Sequence, residues 1–334
     1  MAVLIVGAGM VGSQAARQLL DRGETPILFD LAPNLPHLAT VLDPGAVKIV
    51  RGDMLELAEL IAAIQDHGVD RIIHTASFLY EGVLRRPYAG TRLNLMGTLN
   101  VVEAARQTGV GRVVFCSAGF IYHGVWERMA GQPEQVVDED IAMRLVSDRP
   151  RALYAVTKLS SEYIGLSYGE QFGIDFIALR YGGVFGPWKG PVSGVPGRFV
   201  DQFVRPGAFG RPIVLSDPFL NGVAGGGSFL YCKDAAKATL LAAFARPEDL
   251  KTRVYNINMS RTYPIHETID IAGRLFPGSL VQLTPEVEAL LRGQRYQRMF
   301  DITRARNELG YTPDYELERA FSDYAEWLRA YERE

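Results

Sequence analysis

Short apolar runs alternate with longer segments that carry apolar residues at helical spacing through the first 180 residues of the chain. Runs rich in β-branched residues predict buried strands, and apolar positions that recur every three to four residues predict helices. The predicted strands are 2–6, 25–29, 47–51, 70–74, 111–116 and 174–179, and the predicted helices are 11–22, 54–66, 92–108 and 151–172. This alternation is typical of an α/β fold, a doubly wound parallel sheet with helices on both faces.

After residue 180 the pattern changes to closely spaced glycine and proline residues, which are typical of irregular loops. Shorter helical patterns follow at 233–245, 264–275 and 316–331. We therefore expect a sheet domain formed by 1–180, to which 228–258 return. The segments 181–227 and 259–334 are expected to form a smaller C-terminal substrate lobe.

The composition is that of a folded globular protein, with 48% hydrophobic and 22% charged residues and a formal net charge of −3. Without a basic excess, neither nucleic acid nor an anionic membrane surface is an expected partner. No run approaches the ~20 apolar residues of a membrane span, so we expect a soluble, cytoplasmic protein. The two cysteines and five histidines lack the spacing of a disulfide framework or a metal site, and no metal is expected.

The segment Gly7–Gly12 reads G-x-G-x-x-G and lies directly between the first predicted strand and the first helix. In such a turn the glycines allow a pyrophosphate to approach the helix N-terminus closely. Asp30 closes the second strand about 20 residues later, where a carboxylate accepts a ribose 2′-hydroxyl and repels a 2′-phosphate. We therefore predict a Rossmann domain that binds NAD, although a glycine turn that only packs a helix on a sheet is the alternative. The residues of the turn assigned to the cofactor are Gly7, Gly9, Met10, Val11 and Gly12.

Tyr154 and Lys158 are four residues apart in the predicted helix 151–172, so their side chains lie on one face of it. Lowering a tyrosine pKa from ~10 to near neutrality requires roughly 4 kcal/mol, which a desolvated ammonium together with bound NAD can supply. Tyr154 would then be a general base for an alcohol proton. The pair lies between the fifth and sixth strands, near the edge of the sheet where ligands bind, but a pair without a function is the alternative.

The chain resembles the extended short-chain dehydrogenase/reductase family, of the NAD-dependent epimerase/dehydratase type, over nearly its whole length. The blocks that carry the resemblance are Gly7–Gly12, Gly52–Met54, His74–Ser77, Asn94–Asn100, Tyr154–Lys158, Leu179–Tyr181, Phe185–Pro187 and Asp301–Tyr311.

The resemblance implies cofactor contacts along the chain. Asp53 and Met54 would meet adenine, Ala76 and Ser77 would flank the cofactor, Lys158 would hold the nicotinamide ribose, and Tyr181 would lie near the nicotinamide. Asn94 is assigned to the same site. A helix N-cap at Asp53 and a buried hydrogen-bonding role for Asn94 are the structural alternatives.

Departures from the family pattern concern the catalytic hydroxyl and the acid pair. Family enzymes usually carry Ser or Thr four residues before a tyrosine that corresponds to Tyr122, but this chain has Ala118 there. We therefore expect Ser117 to polarise the substrate oxygen, with a cap of the strand end as the alternative. Gly119 and Phe120 stand where dehydratases of the family carry an acid pair. Because neither can transfer a proton, dehydration is not expected.

Two further departures concern the diphosphate of a nucleotide sugar. Gly183 and Gly227 stand where the family often has an Asn and an Arg that contact it, although Arg292, Arg295 or Arg298 could compensate. The residues assigned to the substrate are Phe78, Ala118, Phe120, Gly183, Arg292 and Arg295.

These features predict an NAD-dependent oxidoreductase that transfers hydride to and from a secondary alcohol of a sugar, polyol or related hydroxy compound. The missing diphosphate contacts favour a dehydrogenase. An NAD-dependent sugar or nucleotide-sugar epimerase with a transient keto intermediate is the alternative, and a non-catalytic dinucleotide-binding sensor is a second one.

Helices 92–108 and 151–172 carry apolar residues beyond those needed to face the sheet. The resemblance implies that such helices pair across a two-fold axis, so a homodimer is expected. The apolar residues concerned are Leu99, Val102, Leu159, Tyr163 and Leu166.

Overall fold

The computed structural model describes residues 1–129, 132, 134–144, 146–148, 152–190, 194–216, 228–292 and 297–332. The strands are β1 (Ala2–Val6), β2 (Thr25–Asp30), β3 (Lys48–Arg51), β4 (Arg71–His74), β5 (Arg112–Ala118), β6 (Glu134–Val137), β7 (Asp175–Tyr181), β8 (Gly183–Phe185), β9 (Ile213–Leu215), β10 (Phe229–Tyr231), β11 (Val254–Ile257), β12 (Val281–Leu283) and β13 (Gln297–Phe300).

The helices are α1 (Met10–Asp21), α2 (Leu35–Val41), α3 (Leu57–His67), α4 (Tyr80–Arg85), α5 (Pro87–Thr108), α6 (His123–Arg128), α7 (Leu153–Phe172), α8 (Val195–Ala208), α9 (Cys232–Phe244), α10 (Ile265–Leu275), α11 (Pro285–Arg292), α12 (Thr303–Leu309) and α13 (Leu317–Tyr331). None of the helices in these described ranges is both long enough and apolar enough to cross a bilayer.

Seven parallel strands form the central sheet, in the order β11-β7-β5-β4-β1-β2-β3. The predicted α/β fold is therefore confirmed, and all six predicted strands are present. Val3 to Val6 of β1 are at most 1% exposed, as expected for a central strand that is covered on both faces. The strand order reverses between β1 and β4, and in sheets of this kind ligands bind beyond the carboxyl ends at that point.

Helices cover both faces of the sheet. Helices α1 and α9 pack together on one face, and α3, α5 and α7 pack side by side on the other. Close approach of α7 to the sheet depends on Gly165, because a Cβ there would lie 2.2 Å from the Phe176 ring. The position of α7 matters because this helix carries Tyr154 and Lys158.

A second hydrophobic core lies beneath α8, α10 and α13 and is rich in phenylalanine, with Phe185, Phe199, Phe203, Phe229 and Phe321 all at most 1% exposed. Three pairs of short parallel strands complete the fold: β8 with β10, β9 with β12, and β6 with β13. These strands of three or four residues carry too little periodicity to be predicted from the sequence.

Two helices begin three or more residues away from the predicted position. Helix α3 begins at Leu57 rather than at residue 54, because the Asp53 carboxylate accepts a hydrogen bond from the Leu55 N–H and holds a turn there. Helix α5 begins at Pro87 rather than at residue 92, and proline is well suited to the first position of a helix.

Candidate active site

A cavity of about 1290 Å³ lies beyond the carboxyl ends of the central strands. One part of its wall comes from the segments that follow β1, β2, β3, β4 and β5. The other part comes from β8, the start of α8 and β13, with Val184, Val195, Pro196, Arg298 and Phe300. The cavity is therefore formed by segments that lie far apart in the sequence.

The glycine-rich turn stands at one end of the cavity. Gly7 has a φ of +105°, and a Cβ there would lie 2.6 Å from the Ala76 backbone nitrogen, so only glycine suits this position. Gly9, Met10 and Val11 line the cavity. A Cβ at Gly9 would meet no atom within 4 Å, so space is left here for a ligand at the N-terminus of α1.

Gly12 does not line the cavity among the described residues, which differs from the prediction of a cofactor contact. A Cβ at Gly12 would lie 2.0 Å from the carbonyl oxygen of Gly7. This glycine therefore serves the close packing of α1 on the turn.

Asp30 holds the glycine-rich turn against the end of β2. Its Oδ2 accepts a hydrogen bond from the Ala8 N–H and its Oδ1 accepts one from the Ala32 N–H, both at 2.8 Å. The carboxylate lines the cavity, where a ribose hydroxyl can donate to its remaining lone pairs. Asp53 and Met54, for which the resemblance implies contact with adenine, also line the cavity.

Ala76, Ser77 and Phe78 follow β4 and also line the cavity. Asn94, in contrast, is 3% exposed and does not belong to the described lining. Its Oδ1 accepts from the Phe78 N–H at 2.8 Å, and its Nδ2 donates to the Phe78 carbonyl and to Thr157 Oγ1. Asn94 therefore shapes the cavity wall by fixing Phe78 and α7, and the expected direct contact with the cofactor is not what the structure shows.

Tyr154 and Lys158 meet in the middle of the cavity wall. The Lys158 Nζ lies 6.0 Å from the centre of the Tyr154 ring and donates to the Cys116 carbonyl at 2.8 Å. Burial lowers the pKa of Lys158 from 10.5 to about 8, although the nearby Glu162 carboxylate acts to raise it. Burial also raises the pKa of Tyr154. In the protein alone, the phenol therefore holds its proton, and its ionisation depends on positive charge placed beside it.

Ser117 lines the cavity near the end of β5, and its hydroxyl belongs to a buried hydrogen-bond network with α7 and β7. Its hydroxyl donates to Glu162 Oε1 at 2.5 Å, and Glu162 also accepts from Nε and Nη2 of Arg180. Ser117 and Arg180 are paired in register on β5 and β7, and Glu162 lies one helical turn after Lys158. In this arrangement the Ser117 hydroxyl donates its proton to Glu162. The predicted role, in which this hydroxyl polarises the substrate oxygen, differs from that hydrogen bond.

Tyr181 lies at the cavity, but its hydroxyl points to the opposite side of the sheet. The hydroxyl is hydrogen-bonded to Thr239 Oγ1 of α9 and lies 3.2 Å from Cys116 Sγ. Only the ring and backbone of Tyr181 are thus available near the expected nicotinamide position.

Aromatic side chains dominate the part of the cavity around Tyr154. Phe120 packs 6.2 Å from Tyr154 and 5.3 Å from Tyr80, measured between ring centres. Ala118 and Gly183, which are assigned to the substrate on sequence grounds, also line the cavity. A Cβ at Gly183 would lie 2.4 Å from Pro196 Cγ, so the asparagine of the family pattern cannot be accommodated here.

The arginines expected to bind a substrate phosphate lie in different places. Arg292 is exposed on α11, where it pairs with Glu288 at 2.7 Å, and it does not line the cavity as described. Arg295 and Gly227 lie outside the described residues. Arg298 does line the cavity, with its guanidinium carbon 5.5 Å from the centre of the Trp126 ring.

Several further residues of the wall were not predicted. They come from loops, from β13 and from helices α4, α6 and α8, and the local sequence of these segments carries no recognisable motif. The aromatic residues in the Gly- and Pro-rich segment after 180 offered the only signal. They are Tyr80, His123, Trp126, Trp188, Val195, Pro196, Ser228 and Phe300.

These residues fit NAD. The open space at Gly9 suits a pyrophosphate at the N-terminus of α1, and Asp30 suits the adenosine ribose. Tyr154 and Lys158 lie farther along the same cavity, where a nicotinamide would meet a substrate.

The family model of the NAD-dependent epimerase/dehydratase family matches residues 3–258. The chain belongs to this family. The prediction of NAD agrees with this membership, because the family is NAD-dependent. Its members are enzymes, which favours the prediction of an enzyme over the alternative of a non-catalytic dinucleotide-binding sensor.

Individual proteins of the family resemble the chain over nearly its whole length. It is 26% identical to the UDP-glucose 4-epimerase of Corynebacterium glutamicum, over 92% of this chain and 89% of that protein. The UDP-glucose 4-epimerase of Thermus thermophilus, solved with NAD, superposes with a TM-score of 0.73 at 25% identity and covers 98% of this chain and 99% of that one. An L-threonine dehydrogenase from Cupriavidus necator reaches a TM-score of 0.79 at 24% identity, over 98% and 100% of the two chains, and shows the shared fold. The epimerase alternative is thereby favoured over the predicted preference for a dehydrogenase.

Proposed function

We propose that this protein is an NAD-dependent sugar epimerase that inverts a secondary alcohol through a transient keto sugar. The observation that carries the proposal is the position of Tyr154, beside Lys158, in the cavity that begins at the glycine-rich turn. The similarity to UDP-glucose 4-epimerases supports the same reaction.

In the proposed mechanism Tyr154 accepts the proton of the substrate alcohol and later returns a proton to the keto oxygen. NAD, when bound, supplies the acceptor and donor of the hydride and adds positive charge near the phenol. The Lys158 ammonium favours the Tyr154 phenolate by charge attraction, and the Cys116 carbonyl holds that ammonium in place. The aromatic wall around Phe120 offers few polar contacts, which suits a sugar ring that must turn within the cavity.

The sheet segments 1–180 and 228–258 would hold the cofactor in this proposal. The segments 181–227 and 259–334 would form the substrate lobe, and β8, α8 and β13 from these segments line the cavity. The ligands we propose are small hydroxy or keto compounds, with UDP-sugars as the first class to test.

The test is incubation of the NAD-loaded protein with UDP-glucose, UDP-galactose and UDP-glucuronate, followed by proton NMR of the sugar. We expect formation of the C4 epimer without net accumulation of reduced nicotinamide. Tyr154→Phe removes one hydroxyl and keeps the ring, so we expect kcat to fall by roughly 10²–10⁴ while the cofactor still binds. Near wild-type turnover by Tyr154→Phe would contradict the mechanism.

A dehydrogenase that acts on a smaller hydroxy compound is the second candidate. The contact between Gly183 and Pro196 favours it, because Pro196 occupies space next to the position of the family's diphosphate-binding asparagine. Net reduction of NAD⁺ with a polyol or hydroxy acid, and no epimerisation of UDP-sugars, would support this candidate.

We also propose a homodimer formed by α5 and α7, which pack against each other. Met96 and Tyr163 are 45% and 66% exposed on these helices, and Leu99, Leu159 and Leu166 are half-buried. Val102, predicted to face outward, is buried in the core. Light scattering at micromolar concentration should give the mass of two chains, and Tyr163→Arg should give the mass of one.

A further inference from the structure

The segment Gly186–Gly190, which follows β8, lies against the first turn of α2, and we call it the 186–190 strap. The Trp188 ring centre is 4.4 Å from that of His37, with the rings tilted by 53°. The Lys189 N–H donates to His37 Nδ1 at 3.3 Å, and the Lys189 carbonyl accepts from Asn34 Nδ2 at 2.6 Å. The backbone N–H and the backbone carbonyl of Lys189 therefore both hold the strap against α2.

The anchor at His37 continues to the glycine-rich turn. Because Nδ1 accepts from Lys189, the ring proton is on Nε2, which donates to Ser13 Oγ at 3.1 Å. The Ser13 hydroxyl donates in turn to the Met10 carbonyl at 3.0 Å. Burial lowers the pKa of His37 to about 4, so the ring keeps this neutral form at neutral pH. A continuous chain of hydrogen bonds thus joins the strap to the first turn of α1.

Trp188 lines the cavity together with Gly9, Met10 and Leu31. The pyrophosphate of a dinucleotide lies at the N-terminus of the first helix in Rossmann domains, which is the position of Gly9 and Met10 here. Trp188 and the first turn of α1 therefore line the same cavity, and His37 links them, because its ring packs against Trp188 and donates to Ser13.

We propose that the 186–190 strap, anchored by Asn34 and His37, holds the bound dinucleotide in place through Trp188 and slows its release. This inference rests on the proposed function and adds to it. An epimerase keeps the reduced cofactor beside its keto sugar until the hydride returns, whereas a dehydrogenase exchanges the cofactor in every turnover. A strap that lines the cofactor site and delays release of the cofactor serves the first reaction and hinders the second.

Asn34→Asp is the first test, because it removes the Nδ2 donor and keeps the side-chain acceptor, although it also adds one negative charge. Asn34 is the N-cap of α2, where its Oδ1 accepts from the His37 N–H, and an aspartate keeps that acceptor. The substitution replaces the Nδ2 donor with an oxygen that faces the Lys189 carbonyl. The release of reduced cofactor is measured through its fluorescence after excess NAD⁺ is added. We expect the release rate to be about tenfold higher in this variant than in the wild type.

Lys189→Ala is the matched control, since both contacts of Lys189 are made by its backbone. We expect this variant to release the cofactor at the wild-type rate. Trp188→Ala provides a second variant and should release it at least as fast as Asn34→Asp. Melting temperatures measured in parallel identify any variant that does not fold.

Wild-type release rates in folded Asn34→Asp and Trp188→Ala would overturn the proposal. Acceleration by Lys189→Ala equal to that of Asn34→Asp would also overturn it. The release rate does not depend on which sugar the enzyme accepts. The wild type could release the cofactor slowly, and these two variants could accelerate the release, in a protein that epimerises no sugar. That result would support the role of the strap and would contradict only the proposed function.

Discussion

Phe300 fills the space that a side chain at residue 119 would need. A Cβ built on Gly119 would lie 2.2 Å from Cζ of Phe300. Phe300 is 7% exposed and packs edge-on against Trp126 with 5.3 Å between ring centres. The position that carries an acid in dehydratases of the resembled family is thus blocked by packing as well as by its residue type.

This contact predicts a coupled pair of substitutions. Gly119→Ala overpacks the site and should lower the free energy of unfolding by roughly 1–3 kcal/mol, while Phe300→Ala leaves a cavity and should cost about 3–5 kcal/mol. Urea unfolding of both single variants and the double variant measures the coupling between them. We expect the double variant to be more stable than the sum of the single losses predicts. If the loss in the double variant equals the sum of the two single losses, the contact between residues 119 and 300 is contradicted.

Ser117→Ala should affect stability more than catalysis. The substitution removes a donor to the buried Glu162 carboxylate, and hydrogen bonds to charged groups are worth roughly 1.5–3 kcal/mol. We expect a loss of that size in the free energy of unfolding and a fall in kcat of less than about threefold. Ser161→Ala is the control, because its buried hydroxyl donates to the neutral Asn94 carbonyl and its loss should cost about 1 kcal/mol. A large fall in kcat with unchanged stability would instead place the Ser117 hydroxyl on the substrate.

Lys158→Met should increase stability at neutral pH while impairing activity. The pKa of Lys158 falls to about 8 in the folded protein, so unfolding takes up a proton between about pH 8 and 10.5. The burial penalty is fully present below pH 8 and declines as the pH rises through this range. At about 1.4 kcal/mol per pKa unit, this penalty exceeds the ~1 kcal/mol of the hydrogen bond to Cys116.

The measurement is the melting temperature of wild type and Lys158→Met between pH 7 and 10. We expect the variant to be more stable at pH 7 and its advantage to shrink toward pH 10. Lys233→Met is the comparison, because the pKa of Lys233 is raised beside Asp323 although burial acts to lower it. That variant should gain no stability at either pH. A destabilised Lys158→Met at pH 7 would show that the ammonium is not penalised by burial.

Asp30 should decide the choice between NAD and NADP. Its carboxylate lines the cavity and would repel a 2′-phosphate, so we expect NAD to bind at least about tenfold more tightly. Asp30→Ala should narrow this difference and weaken NAD, because the contact with Ala8 that holds the turn is also lost. Calorimetry with both dinucleotides gives the two affinities. Equal affinities in the wild type would contradict the assignment.

The parts of the site that the sequence predicts are those formed by local pattern. The glycine-rich turn, Asp30 and the Tyr154–Lys158 spacing each lie within one strand, turn or helix, and the structure brings all of them to one cavity. The direction of the Ser117 hydroxyl depends instead on Glu162 and Arg180, which belong to other elements. Because these partners are distant in the sequence, the local sequence around residue 117 does not indicate the direction of its hydroxyl.

Asn94 illustrates the same limit. An asparagine inside a helix indicates a polar contact, but whether that contact is a ligand or a neighbouring peptide depends on how the chain packs. Here the segment after β4 supplies the Phe78 peptide as the partner. Trp188 was not assigned because it reaches the cavity from a segment without a motif.

The wall that faces Tyr154 has a consequence for how such an enzyme diversifies. Phe120 and Trp126 follow β5, Pro196 lies in the first turn of α8, and Phe300 ends β13, whereas the cofactor turn and α7 belong to other segments. Mutation in the first group can therefore reshape the substrate preference while the hydride-transfer machinery is inherited unchanged. The exception is Gly119, because a side chain there would need a smaller residue than Phe300 at the end of β13.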